Sequence, residues 1–286
     1  MAQRLAHLRA RRLSAMRARR RRPARSGDLN TPTMLDCAAY IGQYPFRHLP
    51  HPEPDVLVRV LEREGLSGAW VGYLPSAWHR DPAAGNDALF AALAPYREML
   101  KPAPVVRPDW PLWEQTLRDL VNEGAAAMRA YPMQWGMAPH DATLRALALA
   151  CGELGVPLVL TVRFEDLRQR HPLDVAGDLT GAHVRALARA GERVKLVVTG
   201  AGRELLEEVH WGLTPEEQRR VFWDFAWIWG PPEDHFAHLL RSVGAERFVY
   251  GTHWPLRLVQ NPRANLDLLP EDLRATVISD ARSLER

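Results

Sequence analysis

Mostly apolar runs recur along the chain at 34–40, 68–74, 103–106, 125–131, 157–162, 194–199, 221–226 and 247–251, rich in Val, Ala and aromatic residues and bounded by polar or Gly/Pro positions. Runs of this length and composition predict buried strands rather than helices. Between them, 55–64, 86–94, 112–123, 141–153, 181–190, 203–209 and 233–243 carry apolar residues at helical spacing, and 261–269 does so after the last run. Eight strand–helix units predict an α/β protein with a single (β/α)8 TIM-type barrel over 34–286. An open doubly wound sheet is the alternative. No Gly-rich phosphate turn follows the first run, which counts against a nucleotide-binding version.

With 286 residues and 47% hydrophobic content, the chain can fill one barrel with a substantial core, and no Gly/Ser-rich linker interrupts 34–286. No apolar run approaches the roughly 20 residues that cross a bilayer, so no membrane partner is expected. Cys37 and Cys151 lie in apolar segments without CxxC spacing and fit reduced, buried thiols of a cytoplasmic protein.

Charge is unevenly placed. Residues 1–26 hold ten arginines and no acid, so a net charge of +3 leaves −7 on the remainder. Residues 1–33 therefore form an Arg-rich N-terminal extension, expected to be flexible. It reads as a solvated arm, as translation from an upstream start with Met34 as the true start, as a targeting peptide, or as an anionic-surface or nucleic-acid contact. Nucleic acid ranks last among partners, because the body is acidic and carries no reading motif.

Two strand ends carry chemistry. Asp36-Cys37-Ala38-Ala39-Tyr40-Ile41-Gly42 resembles the D-x-H-x-H-x-G first strand of the amidohydrolase-related (amidohydrolase-2 type) metal-dependent hydrolases, and Gly251-Thr252-His253-Trp254-Pro255 resembles their last, G-S/T-D-x-P. Gly85-Asn86, the run 124–132, the run 156–161, the run 194–202 and the ending 278–281 resemble further motifs of that family in its order. The resemblance implies a metal centre at Ala38, Tyr40, Thr161, Gly200 and His253, and all five depart from the family's ligands. A His-x-His pair on one strand sends two imidazoles to one metal, whereas alanine has no donor atom and a neutral tyrosine is a poor ligand. No metal or other cofactor is expected.

In a barrel, chemistry sits at the carboxyl ends of the strands. The residues there are Tyr40, Arg129, Thr161, Arg163, Asp224, Trp227 and His253, with Arg47, His48, Trp78, His79 and Trp135 on adjoining loops. His253 is the candidate acid/base, since imidazole transfers protons near neutral pH; it reads equally as a packing residue. Asp224, a carboxylate in an apolar strand, needs a partner or an open mouth and is the second catalytic candidate. Tyr40, Arg129, Thr161, Arg163 and Trp227 are substrate-binding candidates. Arg129 could clamp a substrate carboxylate, or serve as the structural partner of a barrel acid.

Trp223, Trp227 and Trp229 read as pocket or core aromatics, and Trp70, Trp78, Trp110, Trp113 and Trp135 as an apolar rim. His235 and His238 read as surface residues. Two functions follow: a metal-independent hydrolase or decarboxylase of a small carboxylated or aromatic substrate, or a catalytically degenerate barrel that binds a ligand or supports a partner. A homo-oligomer or a paralogous barrel subunit is the expected protein partner.

Overall fold

In the computed structural model, β1 (Leu35–Ile41), β2 (Gly68–Tyr73) and β3 (Leu100–Pro102) form one parallel ladder. The strands β4 (Met128–Ala130), β5 (Leu158–Thr161), β6 (Leu196–Thr199) and β7 (Val221–Trp223) form another. The structure describes residues 34–228, 235–278 and Leu284. The Arg-rich extension, Trp229 and most of the 278–281 motif lie outside the described residues.

Parallel pairing of Val105 with Arg129 joins the two ladders, and pairing of Trp223 with Phe248 adds an eighth segment. That segment returns to β1: Cys37 N–H donates to the Tyr250 carbonyl at 2.9 Å and Tyr40 N–H to the Trp254 carbonyl at 2.8 Å. Each stave therefore has a bonded neighbour on both sides, which makes a (β/α)8 barrel without edges. The third strand lies earlier than the 103–106 expected, because Pro102 and Pro104 lack N–H groups and reduce the rest of that run to the isolated Val105 pairing.

Helices Pro54–Glu64, Ala83–Leu93, Trp113–Asn122, Ala142–Leu154, Gly181–Ala188, Arg203–Trp211, His235–Val243 and Gln260–Asp267 match the expected helical stretches. Their ends obey local chemistry. The Asp141 carboxylate caps Thr143 N–H at 2.8 Å and Leu144 N–H at 3.1 Å, and Gly155 closes the same helix at φ 71°.

Strand alternation sorts the core. Leu158, Leu160, Leu196, Val198, Val221 and Trp223 face the helices, whereas Val159 and Val197 point into the barrel with Trp70, Ala38, Ala103 and Ala127. One tryptophan thus sits elsewhere than the sequence suggested. Trp70 fills the barrel interior and is not on a rim, whereas Trp223 takes the core role offered for it, between sheet and helices. Cys37 and Ala38 are consecutive yet share the interior layer, because the β1–β2 register shifts between Asp36 and Ala39.

Burial pushes the Cys151 thiol up to about 12 and that of Cys37 well above its ordinary value. Because the thiolate is the reactive form, native protein is expected to resist a disulfide reagent such as DTNB until denaturant is added. Rapid stoichiometric labelling without denaturant would contradict this burial.

Candidate functional site

Two residues beyond each interior apolar position comes a polar one. Ala127 leads to Arg129 and then Tyr131, Val159 to Thr161, Val197 to Thr199, and Phe222 to Asp224. Two-residue alternation thus stacks a polar layer on the apolar one at the carboxyl ends of the strands. Asp224 and His253 meet in it: His253 Nε2 lies 2.6 Å from Asp224 Oδ2, and both side chains are 0% exposed. The other carboxylate oxygen accepts the Gly200 N–H at 2.9 Å. Gly200 stands at φ 80°, and a Cβ there would fall 3.2 Å from the His253 ring, so glycine makes room for the imidazole.

His253 has φ 58°, an uncommon conformation for a bulky residue, at a cost of about 1–3 kcal/mol. Its surroundings hold it there. Thr252 Oγ1 donates to Asp36 Oδ2 at 2.5 Å, Thr252 N–H donates to Asp36 Oδ1 at 3.0 Å, and Arg257 N–H donates to the His253 carbonyl at 3.1 Å. Asp36 Oδ1 also takes the Ala38 N–H at 2.9 Å. Desolvation raises the Asp36 carboxyl above its ordinary value, against the lowering effect of these donors.

Tyr40, Arg129 and Thr161 form a second, contiguous network. Arg129 donates to Tyr40 Oη at 3.0 Å and to the Cys37 carbonyl at 3.3 Å, with its guanidinium 4.5 Å from the Tyr40 ring centre. Tyr40 Oη lies 3.0 Å from Thr161 Oγ1, which lies 3.3 Å from Thr199 Oγ1. Gly72 accommodates the arginine, since a Cβ there would fall 2.7 Å from Arg129 Nε. The Tyr40 and His253 rings are 6.2 Å apart, which places the two networks side by side. Among the described residues Arg129 makes no ion pair with a barrel acid; its hydrogen bonds go to a phenol and a backbone carbonyl.

The layer is roofed. Phe164 stands against Tyr40, Tyr44, Trp78 and Tyr131 at centroid distances of 6.0, 6.2, 4.9 and 5.5 Å, and Leu49 and Leu256 complete the apolar cap. Its loop is tied down by Arg47 Nε to Glu165 at 2.5 Å, by Tyr44 Oη to Asp174 at 3.2 Å, and by Arg170 to Asp178. Arg163 pairs with Asp178 at 2.8 Å, and Trp227, 4% exposed, stacks with Arg257 at 3.9 Å. Of the loop candidates, Trp78 and Trp135 adjoin the cap, His79 is half-buried and His48 is exposed.

Tyr40, Arg129, Asp224 and His253, each placed at the mouth by the sequence, are 0% exposed under this roof. Asp36, Thr252, Tyr44, Tyr131 and Phe164 are participants that sequence reasoning missed. For Asp36 a signal existed: a carboxylate within an otherwise apolar strand demands partners, as it did for Asp224.

This polar layer in a closed barrel defines a class by fold. No family model matches the chain, and no curated protein matches its sequence. Solved structures match it over nearly their whole length. The 2,6-dihydroxybenzoate decarboxylase from Rhizobium is 15% identical, covering 90% of this chain and 98% of that one at a TM-score of 0.67. A dihydroxybenzoic acid decarboxylase from Polaromonas sp. JS666, with bound manganese and the inhibitor 2-nitroresorcinol, is 14% identical over 89% and 97% at 0.67. A putative amidohydrolase from Staphylococcus aureus is 13% identical over 88% and 99% at 0.66. The chain shares the fold of these amidohydrolase-type barrels.

The residues here do not fit a metal ion of the kind that fold family implies. Ala38 and Gly200 offer no donor atom, and the Tyr40 hydroxyl is engaged by a guanidinium, whose fixed positive charge opposes a cation beside it. Among the described residues there is no group of three or more His, Cys, Asp or Glu side chains placed to hold a metal. Among them, too, no helix is long and apolar enough to cross a membrane.

Proposed function

We propose that this protein is a non-catalytic barrel of the amidohydrolase type, in which the positions of a former active centre have become cross-links between strand ends, and that it serves as a ligand-binding or partner-supporting subunit. One observation carries the reading: Tyr40, Arg129, Asp224 and His253 are fully buried, and each is bonded to another protein group. Reactive groups without solvent contact cannot meet a substrate in this conformation. The links of Tyr40 to Arg129 and to Thr161 join staves distant in sequence, which suits a framework.

The test is an assay of the full chain against hydroxybenzoates, other aromatic carboxylates and lactone dicarboxylates, with and without added Zn²⁺ or Mn²⁺. No turnover above the protein-free blank is expected. Turnover abolished by Asp224→Asn or His253→Gln would overturn the proposal.

A second reading is favoured by His253 Nδ1, which has no hydrogen-bond partner among the described residues. An accepting Asp224 carboxylate requires Nε2 to carry a hydrogen, and in the neutral ring the lone pair then lies on Nδ1. A metal-independent hydrolase or decarboxylase would use His253 as acid/base and Asp224 to orient it, with Arg129 or Arg163 holding a substrate carboxylate once the Phe164 loop moves aside. The same assay separates the two readings.

A further inference from the structure

Beside the roof lies a groove of about 410 Å³ that the polar layer does not use, walled by Phe46, Trp78, Trp135 and Met133 and rimmed by Leu173 and Val175. Phe46 and Trp78 meet nearly at right angles, 83° at 5.5 Å, so they form two sides of a corner. Asp174 also lines this groove. It is 9% exposed, and its Oδ1 accepts no hydrogen bond among the described residues, while Oδ2 takes one from Tyr44. Leu173 and Val175, at 74% and 90% exposure, leave the groove open to solvent.

A nearly buried carboxylate oxygen without a donor is costly, and among the described residues no side chain donates to it. Arg170, on the same loop, is committed to Asp178 and to the carbonyls of Glu165 and Ala176. Arg107 lies over Trp135 at 5.6 Å and is paired with Asp109, and His171 stacks on Phe46 at 5.8 Å. Trp78, whose ring meets only Tyr44, Phe46 and Phe164 among the described aromatic contacts, adds an indole to the lining.

We propose that this groove binds a small organic ammonium ion, a quaternary or methylated amine whose charge is held by the negative charge of Asp174 and whose methyl groups face Phe46, Trp78 and Trp135. Aromatic walls attract such cations through the ring quadrupole, and a methylated amine gives up little hydration on entering an apolar site. A metal ion is ill served by one carboxylate among indoles, since hard cations need about six oxygen ligands. A neutral apolar ligand would leave the carboxylate oxygen unmatched. The volume admits a ligand of choline size. The inference does not rest on whether the barrel is catalytic.

Choline is the probe, and 3,3-dimethylbutan-1-ol, of the same shape without charge, is the control. Both are titrated into the full chain by calorimetry and by tryptophan fluorescence, since Trp78 and Trp135 line the groove. Choline is expected to bind at least about tenfold more tightly than the alcohol, and Asp174→Asn, which keeps an acceptor for Tyr44, to remove that preference. Equal binding of the two probes, an unchanged preference in a folded Asp174→Asn variant, or no saturable choline binding up to about 50 mM would overturn the proposal. If the variant does not fold, the ratio of the two probes on the unmodified protein decides.

Discussion

Asp36→Ala is expected to destabilise the barrel by about 3–5 kcal/mol, because it strands several buried donors at once. The carboxylate takes the Ala38 N–H, the Thr252 N–H and the Thr252 hydroxyl, all in a fully buried place. Alanine fills none of these roles. The loss falls on the seam between β1 and the eighth segment, which otherwise closes through backbone bonds such as Cys37 to Tyr250 and Tyr40 to Trp254. Equilibrium unfolding in urea, followed by tryptophan fluorescence, measures the change. Asp36→Asn keeps one carbonyl acceptor and should lose less than alanine does. A change below about 1 kcal/mol for alanine would show that water satisfies these donors and that the clamp does not hold the seam.

Trp70→Ala is expected to cost a similar amount, about 3–5 kcal/mol, through a different mechanism: removal of a large fully buried side chain with little collapse around it. Trp70 is 0% exposed in the interior layer, among Cys37, Ala38, Ala103, Ala127, Val159 and Val197. Several of these neighbours are alanines, which cannot extend into the space left behind, and the backbone around them is held by the closed ring. Trp70→Phe should recover much of the loss. Denaturant midpoints measured with the fluorescence of the remaining tryptophans, or with far-UV circular dichroism, decide the matter. A Trp70→Ala protein as stable as the parent would mean that the interior is looser than its burial implies.

Side-chain alternation explains why the sequence left the roles of two tryptophans open. Trp70 and Trp223 both lie in strand-like runs, and a run alone does not tell which parity faces the barrel axis. Pairing in the barrel sets it: Val197 opposite Phe222 and Val198 opposite Trp223 turn Trp223 toward the helices. The register shift after Asp36 then brings Cys37 and Ala38 inward together, which strict alternation forbids.

What the amino-acid sequence determined by itself was the local part. The eight apolar runs and the helical stretches between them specify the (β/α)8 barrel, because strand and helix periods are written in neighbouring residues and a parallel strand requires a crossover. The absence of donor atoms at Ala38 and Gly200 is equally local. Tertiary structure alone decided which polar residues meet and whether solvent reaches them. His253 finds Asp224 at a separation of 29 residues, Thr252 finds Asp36 at 216 and Arg129 finds Tyr40 at 89, and Phe164 packs on Tyr40 from a loop. Such contacts depend on ring closure and loop path, which no short-range pattern encodes, so a list of mouth residues became a buried framework only when the barrel closed.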